Sequence, residues 1–447
     1  MTLLSFLLLV ALHGFGSTLL GLIRVPHCSL RFSLSYLIGA TSSTLLFFVF
    51  LVLGFDIYRS FAVVLMAVGI GAMHSWSTAG YRNDLKKIVD LVLPRNRVEQ
   101  TLFLLILFIL CYVTVMNLFW PHTDWDAMTL YDYRAKVLLE VGSLQPLFTS
   151  IQDIYLVSYP WHTSLLLLQQ YMLGSWNGMV MFSLLTISLV LGFFSLIESM
   201  SGRLHAYIAS LAVVTVPMIF THTMIAYTNF PYMVYWGLGV CCLLSWISTQ
   251  RFDRVQLGTL LIAGSLWIRQ SEPFWMIAVL LVVYGCIVLR QWKAGFWLLP
   301  ILLVWRGWNL YVHGVLKQVL PSTSAELATY EKGGSLGTSL LAFLEINRWA
   351  AVFEHLLTYA APLWGGWVFI VFLLLISQQK SKALIPPNLA VLACIGAIVL
   401  GTYLFATNTY WNEIVDSFQR LLIFAFPVFI YSVFTTQANP TQHYGKK

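Results

Sequence analysis

The sequence predicts an all-α polytopic membrane protein with about thirteen transmembrane helices. Of the 447 residues, 59% are hydrophobic and 10% are charged, whereas roughly a quarter of the residues in a soluble globular domain are charged. Uncharged runs of about 20 residues recur along the chain, and at 1.5 Å per residue each run spans a hydrocarbon core of about 30 Å. The composition therefore excludes a soluble globular domain.

The predicted spans fall into three regions. Residues 1–80 form an N-terminal membrane unit of three helices, 81–100 form a basic cytoplasmic linker, and 101–447 form a longer helical module. Outer loops are expected at 121–177, 221–230, 313–349 and 406–418. In chain order, the predicted spans are 2–23, 33–53, 59–77, 101–120, 178–198, 205–221, 230–249, 256–270, 273–289, 296–312, 350–376, 387–405 and 419–435.

The distribution of basic residues predicts the orientation of these spans. The basic loops "YRNDLKKIVDLVLPRNR", "TQRFDR", "LRQWKAG" and "QQKSK" all fall on one side, and Lys and Arg are enriched in cytoplasmic loops. The formal charge of +7 is therefore a topology signal, and nucleic acid is excluded as a partner. The six cysteines have no CxxC spacing, so we interpret them as packing residues.

One apolar segment is too short to be a span. The run "WHTSLLLLQQYMLG", Trp161 to Gly174, has about 14 residues, and a span needs about 20. Counting it as a span would also place the later basic loops outside. We therefore predict an interfacial helix with His162 and Gln169 on its polar side.

The first outer loop concentrates charge in a chain that otherwise avoids it. In "DWDAMTLYDYRAKVLLEVG" the apolar residues recur at helical spacing, which predicts an amphipathic helix that ends at Gly142. Asp132, Lys136 and Glu140 are interpreted as a solvated charge ladder. Asp124 and Asp126 are open to two interpretations: one of them caps this helix, or partial burial gives one of them a basicity that is useful in catalysis.

This loop resembles the GT-C superfamily of integral membrane glycosyltransferases, which use polyprenyl-phosphate-linked sugars and include protein O-mannosyltransferases and lipid A aminoarabinose transferases. The resemblance is carried by "WDAMTLYDYRAKVLLEVG" and "SYPWHTSLLLLQQYMLG", and more weakly by "AYTNFPYMVYWGLG", "GSLWIRQSEPFWMI" and "DSFQRLLIFAFPVFI". It covers residues 101–447, and the first three helices lie outside it. The resemblance implies a GT-C-like fold with the active site on the non-cytoplasmic side.

The resemblance also implies a reaction. An outward-facing carboxylate removes the proton of an acceptor hydroxyl, which attacks the anomeric carbon and inverts it while the lipid phosphate leaves. Asp126 is the first choice for this base and Asp124 the second. Ala127 follows Asp126, so the Asp-Glu pair that is usual in the family is not reproduced.

Such a reaction needs cations for the departing phosphate, and Arg suits this role through bidentate hydrogen bonds. Arg420 and Arg269 are the main candidates, with Arg134, Lys136, Arg348 and His222 in reserve. The alternative for each of the two main candidates is an arginine at the membrane interface whose side chain snorkels. The predicted substrate-binding residues are Tyr131, Tyr159, His162 and Asn229, although the tyrosines also fit the aromatic belt of a membrane protein.

The expected partners are a polyprenyl-phosphate-linked sugar donor, a hydroxyl acceptor on a lipid, glycan or protein, and membrane lipids. No metal site is expected, because Asn229 stands in the second outer loop where a carboxylate ligand would be sought. Two other functions remain open, namely a transporter or flippase of a lipid-linked glycan and a non-catalytic membrane subunit. Transporters commonly carry ionisable residues deep within their spans. Here Arg306 is the only clear charge in the middle of a predicted span, and this scarcity favours chemistry at the outer surface over transport.

Overall fold

The computed structural model describes residues 2–26, 28–121, 124–145, 159–270, 274–316, 350, 385–406 and 414–435. The regular elements in these ranges are all helical. The predicted span 350–376 lies outside them except for its first residue, as do most of the predicted loop 313–349 and residues 407–413 of the predicted loop 406–418.

The α-helices are numbered in chain order. They are α1 (Leu3–Leu22), α2 (Ser29–Val52), α3 (Ile57–Ser77), α4 (Ala79–Val92), α5 (Arg97–Phe119), α6 (Tyr133–Val141), α7 (His162–Met172), α8 (Val180–Ser201), α9 (Arg203–Thr215), α10 (Pro217–His222), α11 (Asn229–Thr249), α12 (Phe252–Ile268), α13 (Phe274–Leu289), α14 (Leu299–Leu310), α15 (Ile385–Ala406) and α16 (Ile414–Thr435). Two π-helical turns, Ala127–Asp132 and Tyr311–Leu316, and a 3₁₀ helix, Trp292–Leu298, complete the described elements.

Six of the described helices are long and apolar enough to cross a membrane. They are α1, α2, α3, α5, α8 and α11. Shorter apolar helical stretches occur at Phe274–Leu289, Leu389–Ile398 and Leu422–Thr435. The structure therefore supports a polytopic all-helical protein, while the predicted number of thirteen spans is not reached in the described part of the chain.

Two predicted spans are not continuous helices. The span predicted for 205–221 breaks between α9 and α10 at Pro217, because proline lacks the N–H that a continuing helix needs. The span predicted for 296–312 combines the end of a 3₁₀ helix, α14 and a π turn. The prediction of one regular helix is wrong in both places.

The predicted basic linker is also helical. Thr78 caps α4, its Oγ1 accepting from the N–H of Tyr81 at 3.3 Å. Before α5, Asn96 Oδ1 accepts from the N–H of Glu99 at 2.9 Å and Glu99 Oε2 accepts from the N–H of Arg95 at 2.8 Å. This capping arrangement starts α5 at Arg97, before the predicted residue 101.

Glycines allow α1 and α2 to pack in backbone contact. A Cβ added to Gly16 would lie 1.8 Å from Ser35 O, and one added to Gly39 would lie 1.9 Å from Leu12 O. Neither distance leaves room for a side chain, as expected where helices cross through small residues. The N-terminal unit also packs onto the longer module, since Tyr235 on α11 donates to Leu37 O on α2 at 2.7 Å.

Loops predicted to lie on one side of the membrane contact one another. On the predicted outer side, Ile57 N donates to Gly142 O at 2.8 Å and Thr2 Oγ1 donates to Leu173 O at 2.7 Å. We call this end of the helix bundle the Asp126 end. On the other side Arg203 donates to Leu93 O, and we call the end that carries residues 23–26, 78–96 and 250–256 the basic end.

Candidate functional site

Asp126 lies at the start of a π-helical turn. It has helical backbone angles and forms no side-chain cap hydrogen bond, so the interpretation of Asp126 as a helix cap is wrong. Both Asp124 and Asp126 are half-buried. The π turn Ala127–Asp132 follows directly, and such turns are rare and frequent at functional sites.

Two neighbouring side chains anchor this π turn to different parts of the protein. Tyr131 is buried, and its hydroxyl forms a hydrogen bond of 2.9 Å with Thr228 Oγ1. The adjacent Asp132 accepts hydrogen bonds from Lys136 Nζ at 2.6 Å and from the Tyr171 hydroxyl. The turn is thus tied both to the loop before α11 and to α7, which restricts where Asp126 lies.

Asp132 does not belong to a solvated ladder, so that prediction is wrong. Its side chain is 7% exposed and that of Lys136 is 56% exposed, whereas Glu140 lies on the surface as expected. Burial raises the pKa of Tyr171 and the neighbouring Asp132 carboxylate raises it further. The Tyr171 phenol therefore stays protonated and is a permanent donor to Asp132.

We expect Tyr171→Phe to lower the free energy of unfolding by about 1–3 kcal/mol, because it leaves the buried Asp132 carboxylate without one of its donors. Thermal unfolding in detergent measures this change. Tyr58→Phe is the matched control, since Tyr58 is 65% exposed at the same end of the bundle. Equal melting temperatures for the two variants would refute the anchoring role of Tyr171.

Arg134 is buried and holds the chain that enters α7. Its guanidinium donates to Ser164 Oγ at 3.1 Å and to Tyr159 O at 2.9 Å, and it stacks 5.0 Å from the ring centroid of Trp161. Burial lowers the pKa of Arg134 to about 10, so the side chain is still cationic at neutral pH. Its contacts assign it first to positioning the segment that carries Tyr159.

Four of the predicted site residues meet in one place. Arg269, at the end of α12, donates from Nη1 to Asn229 Oδ1 at 2.7 Å and lies 5.3 Å from the centroid of the Tyr159 ring. The Tyr131 and Tyr159 ring centroids are 5.9 Å apart. We call this group the Arg269 cluster, and its members are Tyr131, Tyr159, Thr228, Asn229, Arg269 and Phe424.

Phe424 brings α16 to the Arg269 cluster. Its ring centroid lies 5.6 Å from the Arg269 guanidinium. Arg420 is four residues earlier on the same helix, which is about one helical turn toward the Asp126 end. Its side chain lies outside the described residues.

Two other reserve residues, Lys136 and His222, have different partners, and Arg348 lies outside the described residues. Lys136 is bound to Asp132. His222 closes α10, where its Nδ1 is 2.8 Å from Met218 O and its ring packs against Tyr227 with centroids 6.2 Å apart. Neither side chain makes a described contact with Arg269.

His162 is buried deeper than an interfacial helix would place it. The helix predicted for this segment is confirmed as α7. The prediction that His162 and Gln169 face the membrane interface is wrong, because both side chains are at most 1% exposed. His162 Nδ1 is 2.8 Å from Thr44 Oγ1, which also accepts from Trp267 Nε1 at 3.1 Å. α7 thus packs against α2 and α12 inside the protein.

Lowering the pH from 7 to 5 should destabilise the protein through His162. Burial lowers the pKa of His162 to about 3, whereas a solvated histidine has a pKa of about 6.5. Between these values the unfolded chain binds a proton that the folded chain does not, so this contribution to stability falls as the pH falls. At pH 5 the loss is about 2 kcal/mol.

The measurement is thermal unfolding of the wild type and His162→Asn at pH 7 and pH 5. Asparagine retains a polar group close to Thr44 and does not titrate in this range, so the variant should lose less stability on acidification. The same acid-induced loss in both proteins would contradict the assignment of His162 as a buried neutral imidazole.

An apolar groove lies beside His162 and its neighbours on α2 and α12. It has a volume of about 580 Å³ and runs between α2, α12 and α14, with Phe48, Trp267, Trp308 and Tyr311 among its aromatic lining. The Phe48 ring centroid is 6.3 Å from that of Trp161, which stacks on Arg134. The aromatic wall of the groove therefore reaches Trp161, two residues after Tyr159 of the Arg269 cluster.

Sequence reasoning missed several residues that build the site. Thr228 precedes the predicted Asn229 in "AYTNFP", and Tyr171 closes the apolar run "HTSLLLLQQYM", but neither position has a periodicity that separates it from the aromatic and hydroxyl residues around it.

Among the described residues no group of three or more His, Cys, Asp or Glu side chains could hold a metal ion.

No protein-family model, no curated protein and no solved structure matches this chain.

Proposed function

We propose that this protein is a membrane glycosyltransferase of the GT-C type. It moves a sugar from a polyprenyl-phosphate carrier to a hydroxyl acceptor on the non-cytoplasmic side of a bacterial plasma membrane, with inversion at the anomeric carbon. The single observation that carries the proposal is the Arg269 cluster. It groups a cation, an amide and two tyrosines next to the turn that begins at Asp126 and beside an apolar groove.

The cluster has the chemistry that a sugar phosphate requires. Arg269 offers a planar set of donors suited to phosphate oxygens, and its position between Tyr159 and Phe424 limits its movement. Asn229 and the tyrosine hydroxyls can donate to and accept from sugar hydroxyls. The groove of about 580 Å³ offers an apolar surface for the first isoprene units of a carrier lipid.

In the proposed reaction Asp126 accepts the proton of the acceptor hydroxyl as its oxygen attacks the anomeric carbon. The bond between that carbon and the phosphate oxygen breaks from the opposite face, and the electron pair stays on polyprenyl phosphate. Arg269, joined by Arg420, stabilises the negative charge that develops on the phosphate. The proton that Asp126 has taken up is then released to water.

Three side chains are proposed to position these groups without reacting. Arg134 fixes the backbone around Tyr159, while Asp132 and Tyr171 tie the π turn to α7. Because Asn229 takes the place of a carboxylate in the second outer loop, we propose that the reaction needs no metal ion.

The experiment that tests the donor class is mass spectrometry of lipids that co-purify with the protein in mild detergent. The control is the same purification from cells that do not make it. Enrichment of an isoprenoid phosphate carrying a sugar is the expected result. If the folded protein retains no isoprenoid phosphate, the proposal fails and a non-catalytic membrane subunit becomes the better account.

A transporter or flippase would also bind a lipid-linked glycan, so the second readout is cleavage. The glycosyltransferase converts its bound donor to polyprenyl phosphate when an acceptor extract is added, whereas a flippase returns the donor intact. Intact donor after many minutes with acceptor would therefore favour transport over transfer.

A further inference from the structure

Helix α4 lies across the basic end of the bundle. Its first turn contacts α2, because the Tyr81 ring packs against Phe32 with the two centroids 5.5 Å apart. Its last turn contacts α9, since Arg203 Nη2 donates to Asp90 O at 3.2 Å. The helix has 14 residues, so it is about 21 Å long. Because both of its ends contact the basic end of the bundle, α4 runs close to the plane of the predicted cytoplasmic surface.

One face of α4 is buried against the protein. Asp84 and Ile88 lie four residues apart on this face and are 1% and 3% exposed. Leu91 and Val92, in the last turn, are half-buried and extend the same face. The other side of the helix is therefore the side that can meet a partner outside the protein.

A row of apolar side chains runs along that exposed side. Leu85, Val89 and Leu93 follow one another at intervals of four residues and are 44%, 43% and 50% exposed. We call these three residues the Leu85 stripe. In the chain it leads to Val98, which is 60% exposed in the first turn of α5.

Helix α5 is the most lipid-exposed of the six described helices that could cross a membrane. Only 17% of its apolar window is buried inside the protein, so most of its surface is available to acyl chains. The Leu85 stripe thus ends where a membrane-facing surface begins. Exposed apolar side chains in such a place are typical of a helix that lies in the membrane interface.

Cations border the Leu85 stripe. Successive residues of a helix are about 100° apart, which places Arg82 and Lys86 beside Val89 and away from the buried face. The exposed cations of the fully described stretch from 82 to 97 are Arg82, Lys86, Lys87, Arg95 and Arg97, and its exposed carboxylate is Asp90. The exposed charge is therefore predominantly positive and complements an anionic surface.

We propose that α4 binds the anionic headgroups of phospholipids in the cytoplasmic leaflet. The Leu85 stripe enters the boundary between headgroups and acyl chains, while Arg82 and Lys86 extend to the level of the lipid phosphates. This binding gives α4 a role beyond that of a topology signal. It involves the opposite end of the bundle from Asp126 and is independent of the glycosyltransferase proposal.

The first experiment titrates lipid against the melting temperature of the full-length protein in detergent micelles. Phosphatidylglycerol is the anionic lipid, and phosphatidylcholine with the same acyl chains is the control without net charge. A ligand that binds the folded state raises the melting temperature in a saturable way. We expect half-maximal stabilisation at a lower concentration of phosphatidylglycerol than of phosphatidylcholine, and a smaller difference in about 0.5 M salt, which screens exposed charges.

The diagnostic variant combines Arg82→Gln with Lys86→Gln. Each basic residue close to an anionic surface contributes about fivefold to binding, so the pair should raise the half-maximal concentration of phosphatidylglycerol about 25-fold. The matched control combines Arg290→Gln with Lys293→Gln, which removes the same charge from exposed positions in a basic loop outside α4 on the same predicted side. The control should raise that concentration less than about threefold.

A second experiment tests the Leu85 stripe in nanodiscs of phosphatidylglycerol. Val89→Cys places a thiol in the stripe, and Asn83→Cys places one on another exposed part of α4. A water-soluble maleimide should label Val89→Cys about tenfold more slowly, because lipid covers the stripe. Labelling of the wild type is subtracted to correct for the native cysteines.

Three results would overturn the proposal. One is equal stabilisation of the wild type by the two lipids, and another is the same loss in both double variants, which would show that net charge alone attracts the lipid. The third is equal labelling of Val89→Cys and Asn83→Cys. None of these results bears on sugar transfer at the Asp126 end, so failure here is distinguishable from failure of the proposed function.

Discussion

Asp126→Asn is expected to lower the rate of sugar transfer about 10³-fold, within the range that removal of a general base produces. Asparagine has nearly the same shape as aspartate, yet it cannot accept the proton of the acceptor hydroxyl. Asp126 lies at the start of a π turn that Tyr131 and Asp132 hold in place. We expect the variant to fold and to retain donor, because the Arg269 cluster is unchanged.

The measurement is single-turnover release of polyprenyl phosphate by the wild type, Asp126→Asn, Asp124→Asn and Glu140→Gln. Glu140 is an exposed carboxylate of the same loop and serves as the matched control. If Asp124→Asn loses most of its activity and Asp126→Asn stays active, Asp124 is the general base. Full activity in both aspartate variants would contradict the proposal that either carboxylate is the general base.

Arg269→Gln is expected to weaken donor binding about 10- to 100-fold, because a charge-assisted hydrogen bond contributes about 1.5–3 kcal/mol. Glutamine also loses the cationic stack on Tyr159 and Phe424. The rate at which bound donor reacts should fall as well, because the variant lacks the positive charge of Arg269 that stabilises the departing phosphate. Arg269→Lys should recover part of the loss, since lysine keeps the charge without the planar set of donors.

The amount of co-purifying donor per protein, determined by mass spectrometry, measures this effect. Arg59→Gln is the control, because Arg59 is an exposed arginine at the same end of the bundle, paired with Asp56. Melting temperatures of all variants separate loss of binding from loss of fold. Wild-type donor content in a folded Arg269→Gln would show that the cluster does not bind the phosphate.

The helices were predictable because uncharged runs and capping residues are local signals. The predicted span 230–249 corresponds to α11, Asn229–Thr249. The errors arose where other effects compete with hydrophobicity: Pro217 interrupts a long apolar run, and the Asn96 cap starts α5 earlier. The burial of α7 was not predictable, because the length and composition of the segment also fit an interfacial helix.

The candidate site was predictable as separate residues but not as an arrangement. Arg269, Asn229, Tyr159 and Tyr131 could each be proposed from their local motif, yet the contact of Tyr131 with Thr228 joins positions 97 residues apart. Helical spacing placed Asp132 on the polar face of its helix, which led to the prediction that it is solvated. Periodicity within one helix cannot show that Tyr171 on another helix covers this face. The π turn was equally hidden, since its residues also fit an α-helical pattern.

The most direct test of sugar transfer from a lipid phosphate is one reaction with the donor that co-purifies with the protein. Purified wild type is incubated with an acceptor extract in EDTA, and polyprenyl phosphate is quantified against Asp126→Asn. We predict stoichiometric release of polyprenyl phosphate and a glycosylated acceptor in the wild type, with the donor left intact in the variant. Equal release by both proteins, or an intact donor in both, would contradict the proposed transfer.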